Sequence, residues 1–256
     1  MAVLWFVGAG LTDERGLSAR ALEVLGGADA IFYEEYTAAL APGSFDRLGR
    51  QLGKPLHPLG RAEVEGAAPV LAALERGGAV AFVVPGDAFA ATTHVALRLA
   101  CERAGHDWRY VPNASILTAA AGFLGLMLYR LGRVVSLPFP EPEFRPTSPI
   151  DMIAANRAMD LHTLVLLDLR PSDGRYLLGN EALSILLDRD PEARAISRAS
   201  PLGVVARVGT EEAQAWWGTP ERLRGVDFGP PLHALLIPAP RLHFEEEAAV
   251  LRFRVE

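Results

Sequence analysis

The chain has 256 residues, half of them hydrophobic, and a formal net charge of −6, enough for one large or two small domains with substantial cores. The acidic balance and the lack of a basic tract argue against nucleic acid as the main partner. The longest apolar run, residues 119–128, is too short to span a bilayer. Cys101 is the only cysteine, which rules out an intramolecular disulfide or a cysteine-based metal cluster and predicts a cytoplasmic protein.

In the first half of the chain, short Val-rich runs alternate with helical patterns. The predicted strands are 3–7, 28–33, 55–59, 79–84 and 107–111, and the predicted helices are 17–25, 45–52, 61–75 and 95–104. This alternation indicates a parallel sheet with right-handed crossovers. Residues 112–116 are predicted as a hinge, so the expected domains are 1–112 and 113–256.

Beyond the hinge, the regular alternation of predicted strands and helices ends. A long Ala- and Gly-rich helix is predicted from Ile116 to about Tyr129, and residues 249–255 alternate as an edge strand does. Further strands are predicted at 134–137, 163–169, 202–208 and 233–237, and further helices at 150–159 and 179–187. Several of these strands are too close in sequence for helical crossovers. The predicted fold class is therefore α/β, with two α/β domains: an N-terminal parallel sheet and a C-terminal mixed sheet.

Two loops at strand ends are candidate ligand sites. Asp87 directly follows a buried strand and Pro85-Gly86, at the sheet edge where open α/β sheets bind ligands. The alternative is that Asp87 only caps the turn or helix that follows, through backbone N–H groups. Gly8-Ala9-Gly10 lies at the end of another predicted strand, where glycines without side chains let a ligand approach the backbone. Position 13 is Asp13 instead of the third glycine of a dinucleotide fingerprint, so a tight turn is the better interpretation.

Other chemistries find little support in the sequence. The six histidines form no His-x-x-x-His or Glu-x-x-His pair, and no metal site is predicted. No Walker loop is present, which disfavours nucleotide hydrolysis. Ser115 with a histidine would suit a serine hydrolase, but the nucleophile-elbow pattern is missing, and a helix cap explains Ser115 better. No residue stands out as a general base.

Short motifs are distributed along nearly the whole chain in a specific order and spacing. They are FVGAGL (6–11), DER (13–15), EYT (35–37), PGD (85–87), ATTH (91–94), ASI (114–116), PTS (146–148), LHTL (161–164), LD (167–168), GNEA (179–182), DFG (227–229) and LH (242–243). Taken together they resemble the diphthine synthase family, part of the tetrapyrrole-methylase-like group of S-adenosylmethionine-dependent methyltransferases.

The resemblance implies a homodimer of two-domain chains, with S-adenosylmethionine in the cleft between the domains. It implies methylation of the amino group of the 3-amino-3-carboxypropyl-histidine intermediate on translation elongation factor 2, giving diphthine in diphthamide biosynthesis. By position, the cofactor contacts of the family fall on Leu11, Asp87, Ala90, Ser115, Ile116, Leu167, Ala206 and His233.

The chain departs from the family pattern at three places. Ala88 replaces the proline of the family's Gly-Asp-Pro, Ala90 stands where a bulkier aliphatic residue is usual, and Pro230-Pro231-Leu232 is shifted from the usual Asp-Pro-Pro near His233. Two alternative functions stay open at this point: a methyltransferase of the same fold that acts on a tetrapyrrole carbon, and a non-catalytic binding module. The sequence also leaves open how many methyl groups are transferred and whether a carboxyl methyl ester is formed.

Overall fold

The computed structural model describes residues 2–142 and 144–256 and contains two compact units, Met1–Ile116 and Leu117–Glu256. The division falls at the first residue of a helix. The boundary predicted from the sequence, between residues 112 and 113, lies just before it. No helix in the described part of the chain is long and apolar enough to cross a membrane.

The first unit is built on a five-stranded sheet. Its strands are β1 (Val3–Gly8), β2 (Ala30–Tyr33), β3 (Leu56–Pro58), β4 (Ala79–Val84) and β5 (Asp107–Val111). Its helices are α1 (Ala19–Gly27), α2 (Ser44–Leu52), α3 (Arg61–Gly66), α4 (Ala68–Glu75) and α5 (Val95–Arg103). The strand order is β3-β2-β4-β1-β5 and every pairing is parallel, which confirms the predicted parallel sheet.

Helices cover both faces of this sheet, which explains the continuous apolar run of β4. Val80, Phe82 and Val84 pack into the core shared with α3, α4 and α5, whereas Ala81 and Val83 point to the core shared with α1 and α2. A strand buried on both faces needs apolar residues at successive positions. The sheet is therefore a rigid support for the loops at its carboxyl edge.

One predicted helix of this unit is divided. Residues 61–75 form α3 and α4, because Ala67 between them has a left-handed backbone (φ 61°) and Pro69 occupies the first turn of α4. Proline fits the first turn of a helix, where its missing N–H is not needed, but not a helix interior.

The second unit holds a mixed sheet. Its strands are β6 (Val135–Leu137), β7 (Thr163–Leu167), β8 (Leu169–Arg170), β9 (Arg175–Tyr176), β10 (Leu202–Ala206), β11 (Gln214–Gly218) and β12 (His233–Ile237). The main sheet has the order β11-β10-β12-β7-β6, and β8 and β9 form a separate two-stranded ribbon. Only β6 and β7 pair in parallel among the pairings of the main sheet in the described residues, so the predicted mixed sheet is confirmed.

The second unit also contains helices. They are α6 (Ile116–Leu124), α7 (Ser148–Ala158), α8 (Gly179–Arg189), α9 (Pro220–Leu223) and α10 (Phe244–Val250). Residues of α7 and α8, among them Ile150, Ile153 and Leu183, share a core with one face of the sheet. Leu124 of α6 lies so close to Gly203 of β10 that a Cβ at Gly203 would stand 2.2 Å from Leu124 Cδ2. A Cβ at position 203 would therefore force the Leu124 side chain to shift.

Two sequence predictions for this unit are wrong. The helix from Ile116 ends at Leu124 instead of Tyr129, because Gly125 adopts φ +95° and terminates it. Residues 249–255 form no edge strand: α10 runs to Val250 and a 3-10 turn follows at Leu251–Phe253. The alternation of apolar residues was too short to distinguish a strand from the end of a helix.

Candidate functional site

Three loops of the first unit meet at the carboxyl edge of its sheet: 8–16 after β1, 85–94 after β4 and 112–116 after β5. The first two are joined by reciprocal backbone hydrogen bonds, from Gly10 N to Gly86 O (3.0 Å) and from Gly86 N to Gly10 O (2.6 Å). Both glycines have left-handed φ values, +80° and +72°. A Cβ at Gly8 would lie 2.8 Å from Gly86 O. The glycines are thus needed for this close approach of two backbones.

Asp87 lies in the middle of this edge. Its Oδ1 accepts a hydrogen bond from Phe89 N (3.0 Å), and its Oδ2 accepts from Asn113 N (3.0 Å) and from the Tyr110 hydroxyl. Burial and the hydrogen bond to Asp87 both raise the pKa of Tyr110, so the phenol stays protonated and remains a donor. The carboxylate therefore caps its own turn and also fastens the loop after β5 to the loop after β4.

Asn113 connects the loop after β5 to the loop after β1. Its Nδ2 donates to Gly8 O (2.9 Å) and Gly16 O (3.0 Å), while its Oδ1 accepts from Ala114 N (2.8 Å). The sequence analysis did not single out this residue. Its only sequence signal was its place in the predicted hinge, two residues after the last strand of the first sheet.

The other predicted cofactor residues of the first unit lie on the same three loops. Leu11 follows Gly10, Ala90 lies three residues after Asp87, and Ser115 and Ile116 follow Asn113; all are half-buried. The structure therefore brings the five predicted residues of this unit to one edge of the sheet.

A buried histidine supports the loop after β4. His94 is 1% exposed, and its Nδ1 donates to Ala88 O (2.9 Å), which Thr92 Oγ1 also contacts. Burial lowers the pKa of His94, so the ring is neutral near pH 7. Glu34, fully buried after β2, lies 3.8 Å from His94 Nε2 and accepts hydrogen bonds from Tyr36 N and Thr37 N. Two of the motifs quoted from the sequence, EYT (35–37) and ATTH (91–94), contain residues of this support, but no supporting role for the loop was predicted for them.

The three predicted cofactor residues of the second unit also lie side by side. Ala206 of β10 pairs with His233 of β12, and the pairing of Ala234 with Leu166 places Leu167 of β7 next to His233. All three are buried. They form one row across three neighbouring strands, at one end of the second sheet.

Both ring nitrogens of His233 have partners in the protein. Nδ1 accepts from Gly179 N (3.2 Å), which leaves Nε2 to donate to Pro230 O (3.1 Å). Burial lowers the pKa of His233, so this residue is a neutral imidazole near pH 7.

Two other features of the described residues lie away from these loops. Two surface cavities flank Lys54 and Pro55 of the first unit, and no predicted site residue lines either of them. Within 2–142 and 144–256, no cluster of three or more His, Cys, Asp or Glu side chains is arranged to hold a metal ion.

Comparison with known proteins identifies the family. Residues 3–223 match the family model of the Tetrapyrrole (Corrin/Porphyrin) Methylases. The chain is 40% identical over 253 residues to diphthine synthase of Methanocorpusculum labreanum, covering 98% of each chain. It is 37% identical over 257 residues to that of Methanosarcina mazei, covering 98% of this chain and 95% of the other. A crystal structure of diphthine synthase matches with a TM-score of 0.89 and 34% identity, over 98% of this chain and 96% of that one. The chain therefore belongs to the diphthine synthases of the tetrapyrrole methylase family and is an S-adenosylmethionine-dependent methyltransferase.

Proposed function

We propose that this enzyme transfers methyl groups from S-adenosylmethionine to the amino group of the 3-amino-3-carboxypropyl-histidine of translation elongation factor 2, giving diphthine. We also propose that it acts in the cytoplasm as a homodimer. The observation that carries the proposal is the 40% identity to a diphthine synthase across 98% of both chains. A similarity confined to the cofactor loops would support only the common methyltransferase chemistry.

The residues of the first unit suit the proposed cofactor. S-adenosylmethionine offers a cationic sulfonium, an ammonium and ribose hydroxyls, which call for carbonyl and carboxylate acceptors. The loop 8–10 presents backbone without bulky side chains, and Asp87 supplies a half-buried carboxylate. Its Oδ1 receives one hydrogen bond from the described residues, whereas each carboxylate oxygen can accept about two. We propose that Leu11, Asp87, Ala90, Ser115 and Ile116 hold the cofactor.

The residues of the second unit enter the proposal through the family resemblance. Leu167, Ala206 and His233 form one buried row. Since both nitrogens of His233 are bonded within the protein, we propose that this residue offers the cofactor an uncharged ring surface. A neutral ring avoids repelling a cationic sulfonium.

The proposed methyl transfer needs few catalytic groups from the protein. When bound, S-adenosylmethionine supplies a methyl group on a sulfonium, which is an intrinsically good leaving group. The protein then gains most of the rate by aligning the donor and the amine and by keeping water out. Only the neutral amine has a free lone pair for attack. The loops at 8–16, 85–94 and 112–116 have a fixed geometry, set by backbone bonds and by Asp87, that suits this alignment.

Two measurements test the proposal. Asp87→Ala is expected to weaken S-adenosylmethionine binding about tenfold or more by calorimetry, since one charge-assisted contact is lost, while circular dichroism stays unchanged. Asp29→Ala, at the opposite edge of the same sheet, is the matched control. Unchanged affinity in Asp87→Ala would remove Asp87 from the site.

The substrate is tested by incubating the enzyme and S-adenosylmethionine with elongation factor 2 that carries the 3-amino-3-carboxypropyl intermediate. Mass spectrometry would show the methyl groups added and any methyl ester. No mass increase, together with binding of a coloured tetrapyrrole, would replace the proposed substrate with a ring carbon.

A further inference from the structure

We infer that Asn113 is a positioning residue for the cofactor, whose side-chain amide holds the three cofactor loops of the first unit in one fixed arrangement. The inference rests on the proposed function, since it takes these loops to be where S-adenosylmethionine binds. It adds a residue that none of the predicted cofactor contacts includes.

Hydrogen bonds connect the three loops to one another. The loops at 8–16 and 85–94 are joined through the backbones of Gly10 and Gly86. The loop at 112–116 is joined to the second of these by the bond from Asn113 N to Asp87. The Asn113 side chain joins this loop to the first loop through its hydrogen bonds to Gly8 O and Gly16 O. The amide therefore closes the third side of a triangle of three loops.

The Asn113 amide matches the chemistry of its hydrogen-bond partners. Nδ2 faces two carbonyl oxygens, Gly8 O and Gly16 O, and Oδ1 faces the N–H of Ala114. An amide has two N–H donors on one side and an acceptor oxygen on the other, which matches this set. Aspartate would turn an acceptor toward two acceptors, and alanine would leave both carbonyls without this donor. Pro112, which precedes Asn113, has no N–H to supply one.

The Asn113 side chain also packs closely against the glycines of the first loop. A Cβ on Gly8 would lie 2.8 Å from Asn113 Cβ, and one on Gly10 would lie 3.4 Å from the Asn113 amide. The glycine loop is thus shaped around this side chain. Bare backbone lets a ligand approach, but it also lacks side-chain contacts that would fix its conformation. The Asn113 amide supplies that restraint, and a restrained loop loses less entropy when a ligand binds.

The test compares Asn113→Ala and Asn113→Asp with the full-length wild type. Wild-type binding of S-adenosylmethionine by calorimetry is measured first. Asn113→Ala is expected to raise the dissociation constant and the KM for S-adenosylmethionine about tenfold, with a much smaller change in the KM for elongation factor 2. Asp29→Ala removes a comparable bond, from Ala79 N to Asp29 Oδ2 (2.8 Å), at the other edge of the sheet, and is expected to leave the affinity unchanged.

Asn113→Asp provides a readout that general destabilisation does not give. The new carboxylate would face two carbonyl oxygens and lie near Asp87, which disfavours its charged form and raises its pKa. Once protonated, it can donate to one carbonyl. Its affinity for S-adenosylmethionine, relative to wild type at each pH, is expected to recover severalfold between pH 8 and pH 5.5.

The outcomes separate the inference from the proposed function. If the wild type fails to bind S-adenosylmethionine, both are refuted. If the wild type binds and Asn113→Ala binds equally well, only the inference is overturned. If Asn113→Ala does not fold, Asn113→Asp decides: recovery at low pH supports the positioning role, and a constant ratio to the wild type overturns it.

Discussion

Replacing Glu246 is expected to destabilise the second unit more than any ordinary capping residue would. Its carboxylate is fully buried and accepts hydrogen bonds from Met127 N (2.8 Å), His162 Nε2 (2.8 Å), His243 N (2.9 Å) and the Arg130 guanidinium. Burial raises the pKa of Glu246, but the donors outweigh burial and lower it overall. The carboxylate is therefore ionised at neutral pH and accepts the hydrogen bonds of a buried histidine N–H, two backbone N–H groups and an arginine.

Glu246→Ala leaves these donors without their acceptor in a site closed to water. Removing one partner of a buried ionic network typically costs about 3–5 kcal/mol, and we expect a loss of free energy of unfolding of about that size. Glu246→Gln keeps the shape but turns an NH₂ group toward donors, so an intermediate loss is expected.

Glu63→Ala is the matched control. Glu63 holds the same third position of a helix, in α3, and its side chain accepts from Gly60 N (2.8 Å), but it is exposed to solvent. Its replacement is expected to cost about 1 kcal/mol or less. Urea denaturation followed by circular dichroism measures both variants. Equal losses in Glu246→Ala and Glu63→Ala would refute the argument that burial of the network determines the cost.

Other variants test the remaining contacts by the same urea measurement. Gly8→Ala is expected to lower the free energy of unfolding by about 1–3 kcal/mol because its Cβ would overlap Gly86 O. Gly26→Ala, with open space around its Cβ, is expected to raise it by up to about 1 kcal/mol. A loss of stability in both variants would refute the steric argument. Burial lowers the pKa of His162, so its stabilisation is complete above the unfolded-state pKa of about 6.5 and is lost as pH falls from that value through the lower folded-state pKa; His162→Asn should therefore lose less stability between pH 7 and pH 5 than the wild type. Lys54→Met is expected to cost about 1 kcal/mol, since the ammonium donates to two carbonyls at the end of α1, and an unchanged urea midpoint would contradict this.

The elements of the first unit were predictable because their signals are local. The buried run of β4 and the glycines that end α1 and follow β1 each act within a few residues. Gly125 is also a local signal, since its left-handed backbone ends the helix at Leu124 instead of Tyr129. The predicted strand at 249–255 is wrong because a helix begins just before it. The capping contact between Glu246 and His243 starts that helix, and the alternation of apolar residues does not reveal it.

The long-range contacts that support the candidate site and the second unit could not be predicted from local patterns. Asn113 contacts carbonyls 105 and 97 residues away, and Glu246 contacts His162 at a separation of 84 residues. A single polar residue in a loop gives no indication of which distant backbone group it meets. The family resemblance supplied residues that touch a ligand, but the restraints behind them became visible only with the folded chain.

Asp87 shows how the two interpretations left open by the sequence can both contribute. As a cap, its carboxylate is held by Phe89 N, Asn113 N and the Tyr110 hydroxyl. A free aspartate would lose rotamer entropy on binding a ligand, and ordering a side chain at a binding site costs about 0.5–1.5 kcal/mol. Folding already orders the Asp87 side chain, so this entropy cost does not arise again when a ligand binds. Its two carboxylate oxygens offer about four acceptor positions, and the three donors leave at least one of them open. The capping contacts therefore favour Asp87 as a preorganised acceptor for a ligand.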